Sequence, residues 1–296
     1  MRAARIIALV LLISPTATWA HHDVAAAIKE LDQRIAKGPT ADLHYERALE
    51  YRALRKRAET EADLRKALAL APQHREALTA LIQHLKDTPE ALALASSYLA
   101  SAGTPVRQLE ARFLLATVLS DSGDPTSALA VCAEIQEHHP DHPTGIDLLH
   151  ADLFSLAGKP ADAAAVLKAA HQKHHGIVLR NAWIDAALSA GQVSEVLPII
   201  ESELNSSRFR ASWHLRRARA ALALQDADQA RRDLHAALTE LNSRIQPDRP
   251  DLTLLADRGL VLALLGSKDL ARRDLATLQN SSLSRRAYLL LEAELK

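Results

Sequence analysis

The feature that most constrains this 296-residue chain is a pattern that returns. "LLATVLSDSGDPTSALAVCAEIQEHHP" (Leu114–Pro140) lines up with "LLHADLFSLAGKPADAAAVLKAAHQKHH" (Leu148–His175), with "ARAALALQDADQARRDLHAAL" (Ala218–Leu238) and with "GLVLALLGSKDLARRDLATL" (Gly259–Leu278). Each is a helix-like run, then a polar turn, then a second helix-like run. Ala128, Ala163, Ala230 and Ala271 fall at one point of the second run, and Gly123, Gly158, Gly191 and Gly266 stand five residues before that point. Such self-similarity marks an architecture of stacked repeats, in which each repeat covers the apolar face of its neighbour. Composition agrees: 48% of residues are apolar but only 3% aromatic, with 9 glycines, so Ala and Leu supply the apolar surface. Both are strong helix formers.

Counted back from the anchors, repeats start near Ala41, Arg75, Leu109, Thr144, Ile177, Ala211 and Leu252, at spacings of 34, 34, 35, 33, 34 and 41 residues. The first carries Tyr51, Leu64, Ala67 and Pro72, the third Ala116, Gly123, Ala128 and Pro140, and the seventh Gly259, Gly266 and Ala271. In these residues the chain resembles the tetratricopeptide repeat, a pair of antiparallel helices, over 41–283. The resemblance implies an all-α fold, a right-handed α-solenoid of about seven helix pairs. Three departures carry expectations. Pro89 interrupts the first helix of repeat two and shortens that turn. "NSRIQPDRPD" makes a longer loop before repeat seven. Val196 replaces the small anchor in repeat five and loosens its helix packing. Residues 21–40 form an N-terminal capping helix, with Val24, Ile28, Leu31 and Ile35 on one face, Asp23 as its cap and Gly38-Pro39 as its end. Residues 284–296 form a C-terminal capping helix.

The resemblance further implies that the first helix of each pair lines a concave groove. This places Tyr45, Leu49 and Arg52 of repeat one, and Phe113 and Thr117 of repeat three, along that side. Repeats four to six add Asp152, Asn181, Asp185, Leu215 and Arg219. Asn181 and Asp185 lie four apart on one helix face, and Arg219 of the next repeat either pairs with Asp185 or meets a ligand. The family's full basic clamp for a peptide carboxylate is missing, so that specificity is not expected. The function implied is a non-enzymatic scaffold for protein–protein interaction, holding an unidentified protein or peptide partner in the groove. No Gly-x-Ser-x-Gly, His-Glu-x-x-His or phosphate-binding glycine loop occurs, and no cofactor is expected. The 36 basic and 36 acidic residues balance, which argues against nucleic acid as partner. Arg216, Arg217, Arg219, Arg231 and Arg232 interleave with Asp226, Asp228 and Asp233, a pattern read as a solvated face.

"HHPDHP" (His138–Pro143) and "HQKHH" (His171–His175) resemble metal sites at first sight. Pro140 matches the repeat's terminal proline, so both clusters fall in links between repeats and read as exposed polar residues, with no metal. The alternative is a periplasmic metal-handling protein or metallochaperone using His138, His142, His171 and His175, since imidazole suits Zn, Cu and Ni.

The first twenty residues differ in kind. Arg2 and Arg5, the apolar run Ile6–Ile13, Pro15 and the ending Thr18-Trp19-Ala20 fit a secretory signal peptide over 1–20. That run is too short to span a bilayer, which needs about 20 apolar residues. The mature chain is expected to be periplasmic or secreted, without membrane insertion. Cys132 is the only cysteine, so no internal disulfide forms.

Overall fold

The computed structural model describes residues 23–246, 248, 250–279, 291–292 and 294–295. The signal peptide expected over 1–20 lies outside them. Among the described residues there are fifteen α-helices and no strand. A capping helix α1 (Val24–Lys37) precedes seven pairs, whose first and second members we term A and B. The pairs are α2 (Ala41–Ala53) with α3 (Arg57–Leu70), α4 (Arg75–Leu85) with α5 (Pro89–Ser101), and α6 (Pro105–Asp121) with α7 (Pro125–His138). Then follow α8 (Thr144–Leu156) with α9 (Pro160–His174), α10 (Ile177–Ser189) with α11 (Val193–Ser206), α12 (Ala211–Ala223) with α13 (Ala227–Arg244), and α14 (Leu252–Leu264) with α15 (Lys268–Gln279).

Six A helices begin at the residue the period places them. The exception is α6, which starts at Pro105, four residues before Leu109. Its cause is the short repeat before it. Pro89 opens α5 as its first residue, with Thr88 as cap, so the α4–α5 turn is cut and the chain reaches Gly103-Thr104-Pro105 early. Thr104 Oγ1 then accepts from Arg107 N at 3.3 Å and Pro105 takes the first helical position, where its missing N–H costs nothing.

Each pair closes around its anchor. Ala128, Ala163 and Ala271 are fully buried and Ala230 is 1% exposed. Val196 is also fully buried, but α10 lies closer to α9 than to its own partner α11, in line with the bulkier anchor. The turn before the anchor requires a left-handed residue. Gly123, Gly158, Gly191 and Gly266 supply it with φ of 81°, 70°, 73° and 81°. Repeats one and six place Arg55 (φ 57°) and Gln225 (φ 62°) there, where a Cβ crowds the backbone.

The chain divides into two compact units, 1–149 and 150–296. In the first, Leu64, Ala67, Leu81, Ile82, Ala91, Ala95 and Tyr98 form a continuous core. Leu31 of α1 is buried, with Val24, Ile28 and Ile35 half-buried beside it, and Asp23 Oδ1 accepts from Ala25 N (3.0 Å) and Ala26 N (3.2 Å). In the second, Leu234, Leu241, Leu255, Val261 and Ala271 form the core. Most of the helix expected over 284–296 lies outside the described residues, but 291–292 and 294–295 are helical and Leu291 is fully buried. It explains Gly259: a Cβ there would sit 2.6 Å from Leu291 Cδ2.

The turn makes a paired prediction. Gly191→Ala meets no side chain, so its cost is backbone strain alone, about 1–2 kcal/mol. Gln225→Gly is expected to stabilise by roughly 0.5 kcal/mol, relief of strain outweighing the freer unfolded chain. Urea midpoints read both, and a loss at Gln225→Gly would remove the turn argument.

Candidate partner-binding site

An aspartate three residues after the anchor lies on the anchor's face of the B helix and is therefore carried into the pair. Three repeats place one there, after Thr60 (the buried anchor of repeat one), Ala230 and Ala271, and each is tied by the A helix. Asp63 accepts from Arg47 Nε at 2.7 Å, Arg47 Nη2 at 2.7 Å and His44 Nδ1 at 3.0 Å. Asp233 repeats this with Arg217 Nε (2.8 Å), Arg217 Nη2 (2.6 Å) and His214 Nδ1 (2.7 Å), and adds Gln229 Nε2 (2.8 Å). Asp274 takes the same fork from Arg258 at 2.9 and 2.6 Å. Burial disfavours the charges of Asp63 and Asp233, yet the arginine and histidine bonds outweigh it and hold both carboxyls below the usual range. A His–Asp pair that recurs in two repeats is an internal cross-tie. These ties correct the expectation of a solvated face: Arg217 and Asp233 close their own helix pair.

The A helices of the second unit present a different arrangement. On α10, Asp185 is bracketed by two arginines of α12. Arg216 donates from Nε (3.0 Å) and Nη2 (2.8 Å), and Arg219 donates from Nη1 at 3.1 Å. Arg219 Nη2 also reaches Ser189 Oγ at 3.0 Å and the Asp185 carbonyl at 3.3 Å. Arg216 further covers the ring of buried Trp213 at 4.8 Å from its centroid. The alternative left open for Arg219 is thus occupied by an ion pair within the chain, which again corrects the solvated-face reading. Asp257 of α14 is half-buried and feels the charge of Arg216. Burial raises its pKa to about 6; Arg216 opposes the shift, and the charges of Asp185 and Asp251 add to it. Asn181, one turn before Asp185, has its Oδ1 buried without a hydrogen-bond partner among the described residues.

Other expected site residues are dispersed. Asp152 is half-buried on α8, while Leu215 is buried in the core rather than displayed. In the first unit Tyr45 packs against the core, its ring 5.3 Å from that of His74; Arg52 is exposed, and Phe113 is 39% exposed. Thr117 spends its hydroxyl on the Phe113 carbonyl at 2.8 Å.

The histidine links are not uniformly exposed either. His138 ends α7 with Nδ1 2.9 Å from the Glu134 carbonyl. His142 is buried, its Nδ1 3.2 Å from the Pro143 carbonyl and its Nε2 3.7 Å from Asp147. Burial of that imidazole corrects the loop reading. His171 and His175 close α9, their ring centroids 6.2 Å apart. Among the described residues no three His, Cys, Asp or Glu side chains gather to hold a metal ion. No described helix is long and apolar enough to cross a membrane.

No family model and no curated protein matches the chain. Solved structures do. A tetratricopeptide repeat protein from Parabacteroides merdae is similar at 15% identity and a TM-score of 0.57, over 92% of this chain and all of that one. The apo form of RapI is similar at 14% identity and a TM-score of 0.54, over 91% of this chain and 80% of that one. At such identities the likeness is one of fold.

Two predictions follow from the charges. Asp63→Ala strands Arg47 and His44 and is expected to cost about 3–5 kcal/mol in urea unfolding, whereas Glu90→Ala, which opens only the exposed Arg65 pair, has little effect. The stability from Asp63 and Asp233 is fully present above the unfolded aspartate pKa of about 3.9 and is lost as pH falls through their lower folded values. Asp257 acts oppositely. Its folded pKa is raised, so its cost is fully present above about pH 6 and fades toward pH 4. Asp257→Asn should therefore raise the Tm more at pH 7.5 than at pH 4.5; an equal shift at both would contradict this.

Proposed function

We propose that this chain, which has the tetratricopeptide-repeat fold, is an exported, non-enzymatic scaffold that holds a protein partner against the A helices of its second unit. The fold supports an interaction scaffold in general terms. The choice of surface rests on one juxtaposition. Asn181 Oδ1, which has no hydrogen-bond partner among the described residues, and Asp257, whose carboxyl burial raises to about 6, accompany the Asp185–Arg216–Arg219 network. A partner that donates to Asp257, and to Asn181 Oδ1 once that side chain turns outward, gains bonds without breaking any in the arginine network. A buried acceptor left unmet costs about 1–3 kcal/mol, so meeting it on binding is favourable. Export is supported by the charged, apolar and small-residue order of 1–20.

The test uses Asn181→Ala with Asp257→Asn, which leaves every bond of the arginine network in place. Wild-type protein is used to capture a partner from the envelope fraction, and affinities are then compared by calorimetry. Contacts of this kind are expected to contribute about 1–2 kcal/mol each, so the double variant should bind at least tenfold more weakly with a Tm no lower than that of the wild type. Equal affinity would place the partner elsewhere. Material recovered from the periplasm should begin at His21; an intact Met1 there would contradict a cleaved signal peptide, and absence from the periplasm would contradict export.

A further inference from the structure

We infer that His171 and His175 form a two-imidazole site for a transition ion of the copper class at the C-terminal end of α9. The two histidines are four residues apart, and their rings meet edge-on at an interplanar angle of 82° with centroids 6.2 Å apart. A metal held about 2 Å from each donor nitrogen, with the two nitrogens in adjacent positions, brings the ring centroids to roughly 4.5 Å, so the rings must turn toward each other by between about 1 and 2 Å. Small rotations within the present backbone therefore suffice.

Three further observations bear on these residues. His171 Nδ1 is buried and has no hydrogen-bond partner among the described residues. A buried nitrogen left in that state calls for an ion or a water. The His171 ring is held from behind by Trp183 of α10, which is 8% exposed and stacks at 6.0 Å and 22°. His175 stands in the left-handed region at φ 51°, ψ 21°, a conformation usually left to glycine, although Gly176 is the next residue and has an ordinary φ of −75°. The chain thus keeps an imidazole at the one position of this turn that glycine fits best, with its ring edge-on to that of His171.

The surroundings favour a cation. The carbonyls of the last turn of α9 carry the negative end of the helix dipole. The cation over Trp183, Lys168, is engaged by Glu195. Two neutral nitrogens with water in the remaining positions suit Cu(II), which also binds such donors more tightly than Zn(II) or Ni(II). Occupancy would pin the end of α9 over Trp183 and so tie repeat four to repeat five.

Trp183 supplies the readout, because a Cu(II) ion on its stacking partner quenches its emission. Full-length protein without added histidines is titrated with CuCl2 at pH 7.5 while tryptophan fluorescence is recorded. Saturable quenching at one ion per chain is expected, reversed by a chelator. His171→Gln and His175→Gly should each weaken it by roughly tenfold or more, while His174→Gln leaves it unchanged. His175→Gly suits the left-handed backbone, so it should fold at least as stably, and loss of binding there cannot come from unfolding. Quenching that survives in either variant, or that disappears equally in His174→Gln, would overturn the site.

Discussion

The depth at which two helices of a pair can approach governs everything else in this chain. A small side chain at the anchor lets the B helix press onto the A helix, and the left-handed turn five residues earlier aims it there. Ala128, Ala163, Ala230 and Ala271 show the standard solution. With 3% aromatic residues, the chain fills its interior with Ala and Leu, so closeness of approach substitutes for side-chain bulk. Repeat five tests the rule from the other side. Val196 is buried as deeply, and α10 turns toward α9 instead. Pro198, inside α11, removes one of that helix's own hydrogen bonds as well.

Close approach also explains the buried aspartates. A pair closed by small residues has a smooth interface that can slide, and an Arg–carboxylate fork admits only one register. Asp63, Asp233 and Asp274 supply that fork in the first, sixth and seventh repeats, toward the two ends of the array. At the N-terminal end Arg47 also reaches Asp32, so the same guanidinium fastens α1 to the first pair. Desolvation makes such ties poor sources of net stability, but it makes them unforgiving of misalignment. Near the other end, Leu291 fills the space left by Gly259, a fit made by apolar contact alone.

Much of this is legible in the sequence. The period located six A helices to the residue because the anchor and the turn glycine are both dictated by packing. It misplaced α6 because a constant count cannot register the two-helix shortening that begins at Pro89, although Gly103-Thr104-Pro105 spells a stop and a capped start. The aspartate ties were missed for a different reason. Read along one helix, "RRDL" looks solvated. The signal was its distance from the anchor: three residues, hence the same face, hence inside. His142 was misjudged because a histidine in a link was assumed to be exposed, and only the fold shows that link turning inward.

Neighbouring arginines show how one helix serves both purposes. Successive residues of a helix point about 100° apart, so Arg217 turns back into its own pair while Arg216 turns toward the preceding repeat and finds Asp185. Arg219, three residues on, shares the face of Arg216 and reinforces the same carboxylate. Two cations on Asp185 leave Arg216 facing a second acid, Asp257, that it only partly satisfies. The ties within pairs are saturated and therefore silent toward other molecules. The chain of charges from α10 through α12 to α14 ends on Asp257, an acid whose burial outweighs the help it has from Arg216.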